Sequence, residues 1–239
     1  MGTPLPLWCP PPRPEGSGLE GTYVALERLE PDRHCHEIHA ANQEDIEGKI
    51  WDYLPYGPFE SVDHYRNWAR EAASVDDPLF FAVRDRRTGL AGGVASYLRI
   101  KPDQGSIEVG HINLAPRLQR TRAATEAMFL MMKWAFDAGY RRYEWKCNAL
   151  NIRSRRAAIR LGLSFEGIFR QATVSKGRNR DTAWFAAIDG EWPTLKCAFE
   201  TWLSPDNFDA DGRQRQSLAA LTAPVLVKLD PVLEDRTHA

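Results

Sequence analysis

The sequence is poor in cysteine and has no long apolar run, and each lack narrows the choice of function. Its four cysteines (Cys9, Cys35, Cys147 and Cys197) are scattered and form no Cys-x-x-Cys pair. This spacing is typical of a reducing compartment and argues against a disulfide framework. No apolar run approaches the roughly 20 residues that span a membrane, and no signal peptide is evident. We therefore expect a cytoplasmic protein with no membrane partner.

Net charge is also nearly absent. Lys and Arg number 31 and Asp and Glu number 32, so the formal net charge of the 239-residue chain is -1. Binding of nucleic acid through bulk charge usually needs a basic chain, so we do not expect this partner. The alternative is a local basic patch formed by the arginines at positions 117, 120, 122, 153, 155 and 156.

A cluster of metal-binding residue types occurs at His34, Cys35, His36 and His39. It lies in a short amphipathic segment with no second group of ligands, which zinc sites normally have. We predict a solvated helix face here and no metal.

The chain divides by composition into three parts. Residues 1–21 are rich in Pro and Gly and predict an extended N-terminal arm. Residues 22–203 predict one domain, and residues 204–239 a polar C-terminal extension. The short apolar run Val225-Leu226-Val227 in this extension would pack on the body or on a partner chain, so a homodimer stays open.

Periodicity and turn residues predict alternating strands and helices between residues 22 and 203. Strands are expected at 22–29, 79–84, 90–100, 106–114, 142–146, 165–174 and 182–188, and helices at 31–42, 61–74, 121–138, 151–161 and 191–203. Antiparallel meander and β-α-β crossover occur together, so the fold class is α/β or α+β with a mixed sheet.

The segment between strand 106–114 and the longest helix has the features of an anion site. It comprises Gln119, Arg120, Thr121, Arg122, Ala123 and Ala124. Free backbone N–H groups and the helix dipole favour a phosphate at such a helix start. Arg117, Arg120 and Arg122 would add positive charge. The alternative from these residues alone is a solvated basic loop.

This strand, loop and helix resemble the acetyl-CoA motif of GNAT N-acetyltransferases, Q/R-x-x-G-x-G/A. Gln119 matches its first position and Ala124 its last, while Arg122 stands where the family's first glycine usually lies. A second segment, from Cys147 to Gly167, is similar to the family's N-x-x-S…A…LGF-x-x-EG signature, with Asn151 and Ser154 at its first positions. It is most similar to the RimJ/RimL-like branch, which acetylates the N-termini of ribosomal proteins.

The resemblance covers roughly residues 22–203 and implies a single GNAT-like domain. Its central sheet would be mixed, mostly antiparallel, flanked by helices and splayed at the cofactor site. Acetyl-CoA would be the co-substrate, held by Gln119–Ala124, by Asn151 and Ser154, and by the backbone of Ile112, Asn113 and Leu114. The implied reaction is acetylation of a primary amine by direct attack in a ternary complex.

Acetyl transfer from a thioester needs a base for the amine and a proton for the leaving thiolate. The resemblance implies Glu108 as the base and Ser154 as the acid. The alternatives are a salt-bridged strand residue for Glu108 and a helix N-cap for Ser154. His111 also titrates in a useful range. Period-2 alternation predicts that Glu108 and His111 lie on opposite faces of the strand.

The acceptor is expected beside the loop at residues 51–59, where aromatics cluster with prolines. Trp51, Tyr53 and Tyr56, with His111, would form the substrate wall. The alternative is that these aromatics only pack a helical cap onto the sheet. Arg178 and Arg180 in the turn between the last two strands would suit an acidic or phosphate-bearing acceptor, unless they are simply solvated.

The acceptor itself stays open among a small-molecule amine, an aminoacyl compound and a peptide or protein N-terminus. A function of another class is a non-catalytic acyl-CoA-binding regulatory module, which the arginine at position 122 favours. Both would bind acetyl-CoA, but only the enzyme would release free thiol in the presence of amines.

Overall fold

The central feature of the fold is one mixed β-sheet. The structure is a computed structural model that describes residues 2–234. Within this range eight strands lie in the order β1-β2-β3-β4-β5-β6-β8-β7. They are β1 (Leu19–Glu20), β2 (Val24–Arg28), β3 (Leu79–Asp85), β4 (Leu90–Lys101), β5 (Ser106–Leu114), β6 (Arg142–Asn148), β7 (Ser164–Ser175) and β8 (Arg178–Ile188). Neighbouring strands in the described chain are antiparallel except for the parallel pair β5–β6. The predicted mixed, mostly antiparallel sheet is confirmed.

Helices flank the sheet on both faces. Those in the described range are α1 (Pro31–Asn42), α2 (Val62–Ala73), α3 (Arg122–Asp137), α4 (Ile152–Arg160), α5 (Trp192–Leu203), α6 (Leu218–Thr222) and α7 (Pro231–Glu234). Side-chain caps start α2, α3 and α4, because Ser61, Thr121 and Asn151 each accept a hydrogen bond from the backbone N–H three residues on. Gly139, with φ of +100°, ends α3 in the left-handed conformation that glycine favours.

Two hydrophobic cores lie on opposite faces of the sheet. One packs α3 and α5 against it and includes Phe129 and Phe199, whose rings stack at 5.2 Å. The other packs α1 and α2 against the opposite face and includes Trp51, Tyr65 and Phe80. Strands β5 and β6 run between these two cores.

A buried carboxylate joins α3 to the start of β2. Glu126 is 5% exposed and accepts hydrogen bonds from the backbone N–H groups of Thr22, Tyr23 and Val24. Hydrogen bonds to a charged acceptor are among the stronger ones. This contact therefore fixes the position of α3, and with it the position of the loop before it.

The C-terminal segment packs along α4 and β7. Arg155 in α4 and Asp230 form a buried, two-pronged ion pair, with 2.6 Å between Arg155 Nε and Asp230 Oδ2. The Phe165 N–H donates to the carbonyl of Lys228 at 3.0 Å. Of the apolar run that the sequence left unplaced, Val225 packs on the core and Val227 is 82% exposed.

The N-terminal arm lies on the body, where the Tyr140 hydroxyl donates to the carbonyl of Pro12 at 3.0 Å and Arg13 Nη1 to that of Ile100 at 3.0 Å. The division into arm, domain and C-terminal extension stays a prediction. Met1 and residues 235–239, the outer ends of the two predicted extensions, lie outside the described part.

The segment at residues 34–39 differs from its prediction. His34 and Cys35 are fully buried, and His34 lies 2.7 Å from the carboxylate of Glu27, so this is not a solvated helix face. Across residues 2–234, no group of three or more His, Cys, Asp or Glu side chains is placed to hold a metal ion. None of the described helices has the length and hydropathy of a membrane span.

Candidate active site

The start of α3 carries backbone N–H groups that have no acceptor within residues 2–234. These are the amides of Arg120, Arg122 and Ala123, whereas the Ala124 amide donates to the Thr121 hydroxyl at 3.1 Å. Free amides at a helix N-terminus, together with the helix dipole, bind anions such as a pyrophosphate. Gln119 supports the loop from behind, because its side-chain amide donates to the Leu114 carbonyl at 2.9 Å.

The three arginines of this loop have different environments. Arg117 pairs with Glu44 at 2.8 Å. The Arg122 guanidinium lies 3.4 Å from the ring centre of Phe208 in the C-terminal segment. Arg120 is exposed and, among the described residues, has no side-chain partner. Of the three arginines, Arg120 is therefore the one whose side chain is available to add positive charge beside the free amides. Arg122 offers only its backbone N–H there. Because Arg122 has helical backbone as the first residue of α3, the loop needs no glycine there.

A gap opens between β5 and β6 beside this loop. Their parallel pairing runs from Ser106–Arg142 to Val109–Trp145 and then stops. Both strands continue, β5 to Leu114 and β6 to Asn148. Past the last pair, the two facing edges have backbone groups that do not hydrogen-bond across the gap. This is the splayed sheet that the resemblance implies, and such unpaired edges can bind an extended amide chain.

A β-bulge at His111 changes the face on which this residue lies. His111 has φ of +49°, and the register to β4 shifts between Gly110 and Asn113. Before the bulge Val109, and after it Ile112, pack on the core with α3. The ring of His111 instead packs on the other face, as the side chain of Glu108 does by strand alternation. The prediction that Glu108 and His111 lie on opposite faces is therefore wrong.

Glu108 is a buried, ion-paired carboxylate. It is 3% exposed, and its two oxygens each lie 2.7 Å from a cation, Arg99 Nη1 and Lys146 Nζ. Burial raises the pKa of Glu108, and the two cations oppose this rise. A carboxylate made more basic by burial suits proton abstraction. The alternative from the sequence, a salt-bridged strand residue, is what the structure shows, and the role of Glu108 as a base stays a prediction.

His111 lies against an aromatic wall. Its ring stacks on that of Tyr56, with 5.6 Å between the ring centres and 12° between the planes, and it lies tilted against Phe80, with 5.2 Å between the centres. Its Nδ1 and the Tyr56 hydroxyl are buried without a hydrogen-bond partner in the described chain. Burial, aided by the charges of Arg99 and Arg180, lowers the pKa of His111 to about 4. The imidazole is therefore neutral at physiological pH.

This lowered pKa predicts a pH-dependent loss of stability. The unfolded chain, with a His pKa of about 6.5, binds a proton more readily than the folded chain does. The contribution of His111 is thus present above about pH 6.5 and is lost as the pH falls through about 4. Between about pH 7 and pH 4.5, wild type should lose roughly 2 kcal/mol more unfolding free energy than His111→Gln. Urea unfolding measures this. The exposed His64→Gln is the control, and equal losses in all three proteins would contradict the assignment.

Ser154 and Asn151 have separate roles at the start of α4. Asn151 Oδ1 caps the helix by accepting from the Ser154 N–H at 3.1 Å. The Ser154 hydroxyl oxygen accepts from the Trp145 indole N–H at 3.0 Å, and the hydroxyl also hydrogen-bonds with the Cys147 thiol. Trp145 is also the last residue of β6 that pairs with β5, which places this hydroxyl near the opening of the gap. Burial raises the pKa of the neighbouring Cys147 to about 11, which keeps it a thiol.

The predicted aromatic residues divide into two groups. Trp51 is buried in the core with α1 and α2 and packs on Tyr56, which reaches His111. Tyr53 is 38% exposed and donates its hydroxyl to the Leu150 carbonyl, next to α4. Tyr56 and His111 are therefore brought together, whereas Trp51 lies behind them and Tyr53 lies to one side.

Sequence reasoning missed the cations of this site. Lys146 is 2.6 Å from Glu144 and 2.7 Å from Glu108, and Arg99 completes the pair to Glu108. Lys176 in the β7–β8 turn donates to the carbonyl of Trp51 at 2.9 Å and so ties that turn to the aromatic loop. The alternation of Glu144 and Lys146 on β6 could have predicted this ion network. A parallel partner strand brings these two side chains beside Glu108.

Comparisons with known proteins agree with this geometry. A family model described as an acetyltransferase (GNAT) domain matches residues 24–164. A GCN5-related N-acetyltransferase from Brucella melitensis is 46% identical, with a TM-score of 0.89, over 92% of this chain and 100% of that chain. A probable GNAT-family acetyltransferase from Chromobacterium violaceum is 40% identical, with a TM-score of 0.75, over 81% of this chain and 97% of that chain. A proposed ribosomal-protein-serine acetyltransferase from Vibrio cholerae shares the fold, with 17% identity and a TM-score of 0.62 over 72% of this chain and 97% of that chain. No curated protein matches the sequence.

A splayed β5–β6 pair beside a helix start with free amides is an arrangement that can hold the thioester arm and the phosphates of a coenzyme A derivative. The family model covers more than half of the chain, and the Brucella melitensis structure covers nearly all of it. The chain therefore belongs to the GNAT family and is an N-acetyltransferase. Transfer of an acetyl group from acetyl-CoA is general for this family.

Proposed function

We propose that this chain transfers the acetyl group of acetyl-CoA to a primary amine by direct attack in a ternary complex. The observation that carries the proposal is the gap beyond Val109 and Trp145. It has the free amides of α3 at its cofactor end and Glu108 on its other face. The carboxylate on the acceptor side supplies the base that the reaction needs, and the amides on the phosphate side would hold the co-substrate.

The residues of the loop fit the co-substrate. The amides of Arg120, Arg122 and Ala123 would bind the pyrophosphate, with Gln119, Thr121 and Ala124 holding the turn. The unpaired edge at Ile112, Asn113 and Leu114 would bind the pantetheine arm, with Asn151 and Ser154 on the facing side of the gap. Acetyl-CoA supplies a thioester, whose C–S bond breaks as the amine nitrogen forms the new N–C bond.

Two side chains would move the protons. Glu108 takes a proton from the amine, directly or through water, and its raised pKa makes this transfer easier. Ser154 gives a proton to the thiolate, because the indole of Trp145 already occupies its acceptor side. Neutral His111 and Tyr56 form the apolar wall beside the amine, and Trp51 and Tyr53 support that wall.

Replacing Glu108 by Gln is expected to lower kcat by about 10²-fold or more, because a general base contributes about that much. Glu144→Gln is the matched control. It removes the same charge from the same ion network, two residues from Lys146 on β6, and should lower kcat by less than about tenfold. Thiol release from acetyl-CoA measures both. Equal losses in the two variants would reduce Glu108 to a member of the ion network.

Two features of the chain bear on the class of acceptor amine. The similarity of Asn151–Gly167 to the RimJ/RimL-like branch supports a peptide or protein N-terminus, and the proposed activity of the Vibrio cholerae relative agrees with it. The aromatic wall of Tyr56 and His111 supports a small molecule, an aminoacyl compound or a short peptide end. The scattered cysteines support a cytoplasmic enzyme. Thiol release measured with amino acids, N-terminal peptides and aminoacyl nucleotides tests the proposal, and release with none of them would contradict it.

A further inference from the structure

The face that carries Glu108 also carries buried polar atoms that lack a hydrogen-bond partner within residues 2–234. They are Tyr56 Oη, His111 Nδ1, Arg180 Nε and Trp184 Nε1. Buried polar groups are costly unless they are hydrogen-bonded. Arg180 and Trp184 are donors only. These two donors therefore have no acceptor within the described residues, and an acceptor group from outside the chain would satisfy them.

Arg180 and Trp184 lie on the same side of β8. Between them, Ala183 packs on the core with α3, as Phe185 does beyond them, so strand alternation turns Arg180 and Trp184 to the opposite face. The ring of Trp184 lies 3.9 Å from Lys146 Nζ, which in turn lies 2.7 Å from Glu108. The unpartnered donors of β8 are thus on the face of the candidate base.

Arg180 also lies close to the opening of the gap. Its charge acts on His111, at the bulge of β5, and on Cys147, near the end of β6. These two residues follow the last pair between the strands, Val109 with Trp145. On β8, Arg180 lies two residues before Thr182, which pairs with Asn148 at the end of β6, so it lies at the end of the sheet where the gap opens.

The charge of Arg180 is not balanced by the protein. Arg99 and Lys146 neutralise Glu108, and Arg142 shares Glu144 with Lys146. Within residues 2–234, the buried Nε of Arg180 has no hydrogen-bond partner, carboxylates included. A buried guanidinium nitrogen without an anion is costly, unless the ligand supplies one.

We propose that the acceptor amine carries an anionic group, a carboxylate or a phosphate, which binds Arg180 while the amine nitrogen faces Glu108. The planar guanidinium matches both oxyanions with two parallel hydrogen bonds, and Trp184 Nε1 offers a further donor. The Tyr56–His111 stack packs on the apolar part of the same molecule. The inference rests on the proposed acetyltransferase function and specifies its substrate class.

The test compares amines that differ only in the anionic group. Thiol release from acetyl-CoA is measured with L-amino acids, their amides and their decarboxylated amines, and with phosphoethanolamine against ethanolamine. Wild type should prefer an anionic amine over its neutral partner by at least about tenfold in kcat/KM. Arg180→Gln should lose that preference. The control Arg178→Gln should keep it, because it removes the same charge from an exposed position of the same hairpin. The rates with the amino acids and with phosphoethanolamine show whether a carboxylate or a phosphate is the preferred anion.

Equal rates for anionic and neutral amines, or a preference that survives in Arg180→Gln, would overturn the inference and leave the acetyltransferase function standing. The inference would also be overturned if a neutral peptide amide were the best acceptor and Arg180→Gln acetylated it as fast as wild type does. If no amine is acetylated, the proposed function fails, and a binding measurement then tests the anion site separately. In this measurement the protein is saturated with coenzyme A and titrated with the N-acetylated amino acids and with the N-acetylated decarboxylated amines. Binding of the acids that Arg180→Gln weakens at least about tenfold would support the anion site, and equal binding of acids and amines would contradict it.

Discussion

Replacing Asp230 by Ala is expected to lower the free energy of unfolding by about 3–5 kcal/mol. The Arg155 and Asp230 side chains are only 4% and 0% exposed, and two hydrogen bonds join them. Without Asp230, the charge of Arg155 would be buried and unpaired within α4. Because α4 begins at the Asn151 cap beside Ser154, catalysis should weaken together with stability. Urea unfolding at neutral pH measures the effect.

Two further variants distinguish the cost of leaving the Arg155 charge buried and unpaired from the general effect of replacing an aspartate. Asp137→Ala breaks an exposed pair with Lys133 on α3 and should cost less than about 1 kcal/mol. The double variant Arg155→Met with Asp230→Ala removes both charges and should recover a large part of the loss. If Asp230→Ala were as stable as Asp137→Ala, the C-terminal segment would not hold α4 as the structure describes.

Replacing Arg122 by Pro is expected to weaken acetyl-CoA binding by about tenfold or more relative to Arg122→Ala. Proline is tolerated at the first position of a helix, and Thr121 before it is extended, with φ of −92° and ψ of 167°, as a residue before proline prefers. The Pro variant therefore removes one amide donor and leaves α3 in place. Arg122→Ala loses the same contact with Phe208 but keeps the N–H, so it is the matched control.

Calorimetric titration with acetyl-CoA measures this difference, and thermal unfolding checks that both variants keep the fold. The ratio of their dissociation constants isolates the amide from the side chain. Equal affinities for Arg122→Pro and Arg122→Ala would show that the pyrophosphate does not use this N–H group.

Sequence patterns within a few residues were sufficient to predict the strand and the helix that form the proposed cofactor site. The strand at Ser106–Leu114 was predicted with its observed ends, and α3 begins one residue later than predicted. Apolar periodicity and the Thr121 cap are properties of the nearest few residues, which is why the sequence shows them. The splayed sheet at the cofactor site was implied instead by the resemblance to the family.

The parts that were missed depend on contacts distant in sequence. The bulge at His111 needs a left-handed backbone at a residue that has no local reason to adopt it, and it reverses the face of His111. The pair of Arg155 and Asp230 joins residues 75 positions apart. Likewise, the stacking of Arg122 on Phe208, which accounts for an arginine at the start of α3, depends on a segment that looks merely polar.

The most direct test of the account is a crystal structure of this protein with acetyl-CoA. The account predicts pyrophosphate oxygens within hydrogen-bond distance of the amides of Arg122 and Ala123. It also predicts the thioester in the gap beyond Val109 and Trp145, between Ser154 and the face of Glu108. A pyrophosphate bound away from the start of α3, or a thioester outside this gap, would contradict it.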